Sequence, residues 1–152
     1  ELLLYLKHGL MEQIMNDLTS TKINFLKELG TETTLHSGGS LFDHLVGVSQ
    51  ILKEMNAPQH VQDAGLFHSI YGTYKFQHQT ISDRNVIQNL IGEEAEYLVY
   101  MFCYLGDVTN RQTEITNISD KKIRDELMLI GFANDEEMGR RREMTFEEAY
   151  NV

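Results

Sequence analysis

A chain of 152 residues fits one domain, and at that size about 68–70% of the unfolded surface is buried on folding. Its 41% hydrophobic content supplies a core, yet no apolar run approaches the roughly 20 residues of a membrane-spanning helix. The formal charge of −10 argues against a nucleic-acid footprint, which needs clustered Lys and Arg, but leaves room for a small phosphorylated ligand held by local cations.

The opening Leu2-Leu3-Leu4-Tyr5-Leu6 lacks the basic flank and cleavage pattern of a signal peptide. It reads either as a first helical turn or as sequence ahead of a native start at Met11. Apolar spacing between glycine breaks then predicts helices at about 8–29, 41–55, 59–70, 81–90, 93–105 and 119–133, with a weaker one near 135–149. Ser40 is the expected cap of the helix opening at Leu41, since its hydroxyl can accept from a first-turn amide. Asn56-Ala57-Pro58 closes that helix and opens the next. Glu93 and Glu94 set negative charge at a helix start, and Ser119-Asp120 opens the segment from Lys121. No alternating strand is evident, so the expectation is a single all-α domain over 1–152, with its core at about 36–110 and C-terminal helices at 119–149. The one cysteine, Cys103, sits among Tyr100, Met101, Phe102, Tyr104 and Leu105 and reads as a buried, inert thiol. A cytoplasmic protein is expected from this set.

Two histidines fall on apolar helices. His44 stands beside the stripe Leu41, Leu45, Val48, Leu52 and Met55, and His68 shares a face with Val61, Ala64 and Gly65. A buried polar group without a partner costs about 1–3 kcal/mol. Two on neighbouring helices therefore point to a shared partner: a metal ion, a bound anion, or each other in a purely structural pair. His78 reads as a loop or supporting residue, His8 and His60 as surface, and Arg140-Arg141-Arg142 as a solvated helix face. Tyr71 and Tyr74, flanking Gly72-Thr73, either line a pocket or pack.

The blocks Asp43-His44-Leu45, Ala64-Gly65-Leu66-Phe67-His68-Ser69-Ile70-Tyr71-Gly72 and Leu105-Gly106-Asp107 resemble the HD-domain superfamily of helical metal-dependent phosphohydrolases. In that family a histidine, a His-Asp pair and a later Asp bind one or two divalent metals. The stretch from Thr80 to Val99, with Arg84 and Gly92-Glu93-Glu94-Ala95-Glu96, is similar to the hydrolase domain of alarmone-metabolising enzymes. The resemblance covers about residues 36–110 and points to a subfamily with His-Ser in place of His-Asp, sharing His36-Ser37-Gly38 and His68-Ser69-Ile70-Tyr71-Gly72-Thr73.

This resemblance implies His44 and His68 as imidazole ligands and Asp107 as a carboxylate ligand, although Asp107 equally suits a turn cap for Thr109 or Asn110. Ser69 stands where the family's Asp bridges metals, and a neutral hydroxyl is a poor ligand, so one ion is expected rather than two. Two imidazoles and a carboxylate suit Zn²⁺, Fe²⁺ or Mn²⁺. His36 supplies a further ligand if the Gly38-Gly39 loop turns it back toward His44; otherwise it is a loop residue bonded to backbone. Asp43 or Glu96 would act as the base. Arg84, Lys75 and Arg111 would hold an anionic substrate group, with Tyr71 beside it. The expected function is a metal-dependent hydrolase-like protein acting on a small phosphorylated or nucleotide-like metabolite. The alternative is a catalytically degenerate HD-like domain that binds a small ligand or protein partner. A third option is a dimeric structural module joined through Leu2–Leu6 or the final helix.

Overall fold

Helix formation follows the apolar spacing through the middle of the chain. The structure, a computed structural model, describes the backbone of residues 1–105 and 108–150 and the side chains of 1–105 and 110–141. Among these residues seven helices form: α1 (Leu2–Glu28), α2 (Leu41–Glu54), α3 (Gln59–Phe67), α4 (Arg84–Ile91), α5 (Glu93–Tyr104), α6 (Val108–Thr116) and α7 (Lys121–Tyr150). The all-α reading holds with one departure, a minimal antiparallel hairpin of β1 (Leu35–His36) and β2 (Gly39–Ser40). Its two turn residues, Ser37 and Gly38, both have positive φ, 46° and 86°, as a tight type I′ turn demands.

Local chemistry sets most helix ends. Ser40 Oγ accepts from the Asp43 N–H at 3.0 Å and so caps α2. Asn56, at φ 57°, closes α2 in the left-handed conformation that asparagine tolerates. Asp83 caps α4 through the Asn85 N–H, which starts that helix three residues later than its apolar pattern suggests. Asp120 accepts from the Ile123 N–H at 3.2 Å and opens α7. Three expectations need correction. The segments at 119–133 and 135–149 are one helix, because nothing at Asn134-Asp135 breaks the backbone ladder. The polar stretch Val108–Thr116 is helical although its sequence carries little apolar periodicity. And α1 begins at Leu2 rather than residue 8.

α2 packs against both α3 and α7, α3 packs against α5, α4 lies on α5, and α6 lies on α7. Leu41, Leu45, Val48 and Leu52 bury completely, while Met55, at the C-terminal cap, is exposed. α3 is buried nearly all round, with Val61, Ala64 and Gly65 on one side and Leu66 and Phe67 on the other. Gly65 permits the close approach of α2: a methyl there would collide with Leu52 Cδ1 and stand 3.3 Å from Val48 Cγ1. The one buried acid of α3, Asp63, is neutralised by Lys22 of α1, whose Nζ lies 2.9 Å from both carboxylate oxygens. Among the described residues no helix is long and apolar enough to cross a membrane.

Candidate metal centre

His44 lies in the first turns of α2 and His68 just past the end of α3, and both rings are buried. They converge: His44 Nε2 and His68 Nε2 are 3.2 Å apart. The third member comes from α7, where Asn134 Oδ1 stands 3.1 Å from each of those nitrogens.

The protons on the two rings follow from what lies behind them. His68 Nδ1 is 2.7 Å from the Gly65 carbonyl, an acceptor only, so that nitrogen carries the hydrogen and donates. His44 Nδ1 meets Glu137 Oε2, again an acceptor, and donates likewise. Both Nε2 atoms therefore present lone pairs toward one point. Asn134 adds a third, and its amide orientation is supported by Nδ2 donating to Asp135 Oδ1 at 3.3 Å. Three lone pairs within 3.2 Å repel one another unless something positive sits among them.

The supports are themselves anchored. Glu137 Oε1 accepts two bonds from Arg141, at 2.7 Å from Nη2 and 3.1 Å from Nε, and Arg141 Nη1 donates to the His36 carbonyl at 2.8 Å. Burial alone would raise the Glu137 carboxyl, but the His44 ring and the Arg141 guanidinium hold it below its ordinary value. Asn134, Glu137 and Arg141 share one face of α7 at spacings of three and four residues. Two glycines make room for them. A Cβ on Gly47 would lie 2.8 Å from Glu137 Cγ, and one on Gly39 would lie 2.7 Å from Arg141 Nη1.

The centre opens onto a cleft of about 380 Å³ on the His68 side, lined also by His36, Ser69, Lys75, Phe102, Arg111, Asn134 and Asp135. Arg111 is buried, with its guanidinium 4.4 Å from the centroid of the Phe102 ring. Four buried side-chain polar atoms lack a hydrogen-bond partner among the described residues, and three of them belong to residues lining this cleft: His36 Nδ1, Ser69 Oγ and Arg111 Nε. Burial, followed by the neighbouring His44 ring, presses His68 down to about 3 and His36 down to about 4.

The residues singled out in the sequence divide clearly. His44 and His68 are brought together. His36 stacks face to face on His44, centroids 4.1 Å apart and planes 17° apart, so its in-plane lone pair is not aimed at the same point. Asp107 lies outside the described residues. Asp43 is exposed at the start of α2. Glu96 does not line the cleft. Its carboxylate is committed to the Tyr71 hydroxyl, which donates at 2.8 Å, and to Arg84 at 2.7 and 2.8 Å. That network also takes Tyr71 and Arg84 out of the cleft lining, with Arg84 lying over the Tyr100 ring. Lys75 and Arg111 do line it. Cys103 donates to the His68 carbonyl at 3.1 Å, and burial pushes its thiol up to about 12, in keeping with an inert residue.

The sequence reading missed Asn134, Glu137 and Arg141. Arg141 belongs to the run expected as a solvated helix face, yet its side chain is only 15% exposed. Their spacing on α7, three and then four residues, next to the buried Ile130 and Ala133, was the available signal. A second grouping, His60, Glu94 and Glu126, clusters titratable groups elsewhere, but Lys122 already supplies its positive charge, 3.1 Å from Glu126 and also bonded to Glu94.

The chain is thus a helical domain with an inward-facing His-His-Asn centre. It belongs to the family described as a domain of unknown function, DUF6817, whose model matches residues 25–106 of the 152. The match includes His36, His44 and His68 and stops short of α7. No curated protein and no solved structure matches the chain.

Proposed function

We propose that the cleft holds one divalent metal ion and that the protein is an HD-like, metal-dependent hydrolase acting on a small phosphorylated or nucleotide-like metabolite inside the cytoplasm. The observation that carries this reading is the mutual 3.1–3.2 Å spacing of His44 Nε2, His68 Nε2 and Asn134 Oδ1. Ligands about 2.1 Å from one ion are about 3.0 Å apart along an octahedral edge and about 3.4 Å along a tetrahedral one, so the donors fit. Zn²⁺, Fe²⁺ and Mn²⁺ all accept imidazole with oxygen. The backing of each ring by a carbonyl or a carboxylate is the arrangement that fixes metal-binding histidines.

When bound, such an ion supplies Lewis acidity, polarising a phosphoryl oxygen and acidifying water. The chain's own residues account for the rest. Arg111, braced on Phe102, offers guanidinium hydrogens to an anionic group, and Ser69 and Lys75 line the same cleft. Among the described residues Asp135 is the one carboxylate lining the cleft, and it takes the part of proton acceptor expected of Asp43 or Glu96. Its contact with Asn134 keeps the amide oxygen turned toward the imidazoles.

Metal analysis of protein purified without a histidine tag, repeated on His68→Ala, tests the reading. Expected is about one equivalent of metal in the parent and loss in the variant, with phosphomonoester hydrolysis following the metal. No bound metal and no affinity for Zn²⁺, Mn²⁺ or Fe²⁺ would sink it.

A second reading draws on the absence of any carboxylate from the three converging donors. A proton on His44 Nε2, balanced by Glu137, would also reconcile the lone pairs and leave a degenerate domain that binds a ligand or protein partner without turnover. Ser69→Asp separates the two. New metal uptake and hydrolysis favour the degenerate domain, whereas loss of an existing activity favours the specialised enzyme.

A further inference from the structure

α1 carries more apolar surface than its own domain covers. Residues 1–21 are exposed throughout, and the ten large apolar side chains between Leu2 and Leu18 are 40–77% exposed. At 100° per residue Leu3, Leu4, Leu10, Met11, Ile14 and Leu18 fall within an arc of about 120°. Phe25 and Leu29 lie in the same arc, and there the stripe packs against the core. One continuous apolar face is therefore covered at its C-terminal end and bare over its first turns. At roughly 100 Å² per side chain, the six exposed members of the arc make about 600 Å², the upper end of the about 300–600 Å² of the largest patch on an ordinary monomer. Two such faces together bury about 1,200 Å², the lower end of the about 1,200–2,000 Å² of a standard interface.

Charge selects the occupant and its direction. Lys7 sits near the middle of the stripe and Asp17 on its edge. A parallel pair in register would set Lys7 against Lys7. An antiparallel pair, with its two-fold axis between residues 12 and 13, sets Met11 against the second copy's Ile14, Leu4 against its Thr21, and Lys7 beside its Asp17. A membrane surface fits less well. The helix balances Lys7, Lys22 and Lys27 against Glu1, Glu12, Asp17 and Glu28, so it has no basic face for anionic lipid. We infer that α1 is an antiparallel dimerisation helix whose partner is a second copy of this chain. This inference is independent of the metal centre.

Sedimentation equilibrium of the whole chain tests it, with twice the 17.6 kDa chain mass expected at micromolar concentration. Met11→Glu with Ile14→Glu, both at exposed positions, should weaken association by roughly 100-fold or more while leaving the far-UV circular dichroism unchanged. Mixing Leu4→Cys with Thr21→Cys chains under mild oxidation should yield the mixed disulfide, with buried Cys103 silent. A parent chain that is monomeric, whether or not it floats with lipid vesicles, overturns the inference. So does a dimer that survives both glutamates, or one in which Leu4→Cys preferentially bridges to itself.

Discussion

His44 and His68 point their Nε2 atoms at each other across 3.2 Å, each with its Nδ1 hydrogen already given to an oxygen behind the ring. Asn134 completes the triangle with a neutral oxygen, which is a weaker donor than a carboxylate. Asn134→Asp should therefore tighten divalent metal binding, and Asn134→Ala should weaken it, both by about 10-fold or more. Equilibrium dialysis with Zn²⁺ and Mn²⁺ reads both changes. Equal affinity in the three proteins would remove Asn134 from the donor set.

Glu137 touches His44 from behind and contributes no atom to the converging point. Glu137→Gln preserves its shape but removes the charge that orients the ring, so a loss of about 10- to 100-fold in metal affinity is expected. Gly47→Ala should act in the same direction, because a Cβ there stands 2.8 Å from Glu137 Cγ. Unchanged affinity in both variants would show that ring orientation does not depend on this carboxylate.

Acid should destabilise the metal-free protein. The His68 ring titrates near 6.5 when unfolded and at about 3 in the fold, with burial the chief cause. Between those values the unfolded chain binds a proton that the folded chain refuses. Stability is thus fullest above pH 6.5 and drains as pH falls toward 3, by up to about 1.4 kcal/mol per unit. Urea midpoints taken in chelator from pH 7.5 down to 4.5 should fall along that slope, and His68→Gln should flatten it. A midpoint rising on acidification would contradict the burial of this ring.

Gly65→Ala should cost about 1–3 kcal/mol, since its methyl would press on Leu52 and Val48, both without exposed surface. Thermal unfolding measures the loss. Paired with Leu52→Ala, the cost should shrink, because the colliding side chain is gone; a strictly additive pair would place the strain elsewhere.

Much of this architecture was legible in the sequence, for reasons that also explain what was not. The stripe of α2 and the small-residue face of α3 carry period and size information locally, so His44 and His68 could be set on facing helices. Ser40 announced its cap through side-chain chemistry alone. Asn134 and Glu137 lie in the run Asn134-Asp135-Glu136-Glu137, where half the residues face solvent and half face the histidines. Polarity there looks like solvation, and the partner sits 90 or more residues away. The Glu96 network shows the converse error. A carboxylate within the resembling stretch suggested a base, while the buried Tyr71 hydroxyl and the more exposed Arg84 guanidinium had already claimed both oxygens.

The three donors are divided between elements: α2 and the C-terminal cap of α3 carry the imidazoles and α7 carries the amide. A cation seated among them would clasp α7 to the rest of the domain. Ion occupancy and helix docking would then be linked equilibria, each strengthened by the other. Stripping the ion would loosen the whole C-terminal helix, and hydrogen exchange along α7 would register that release.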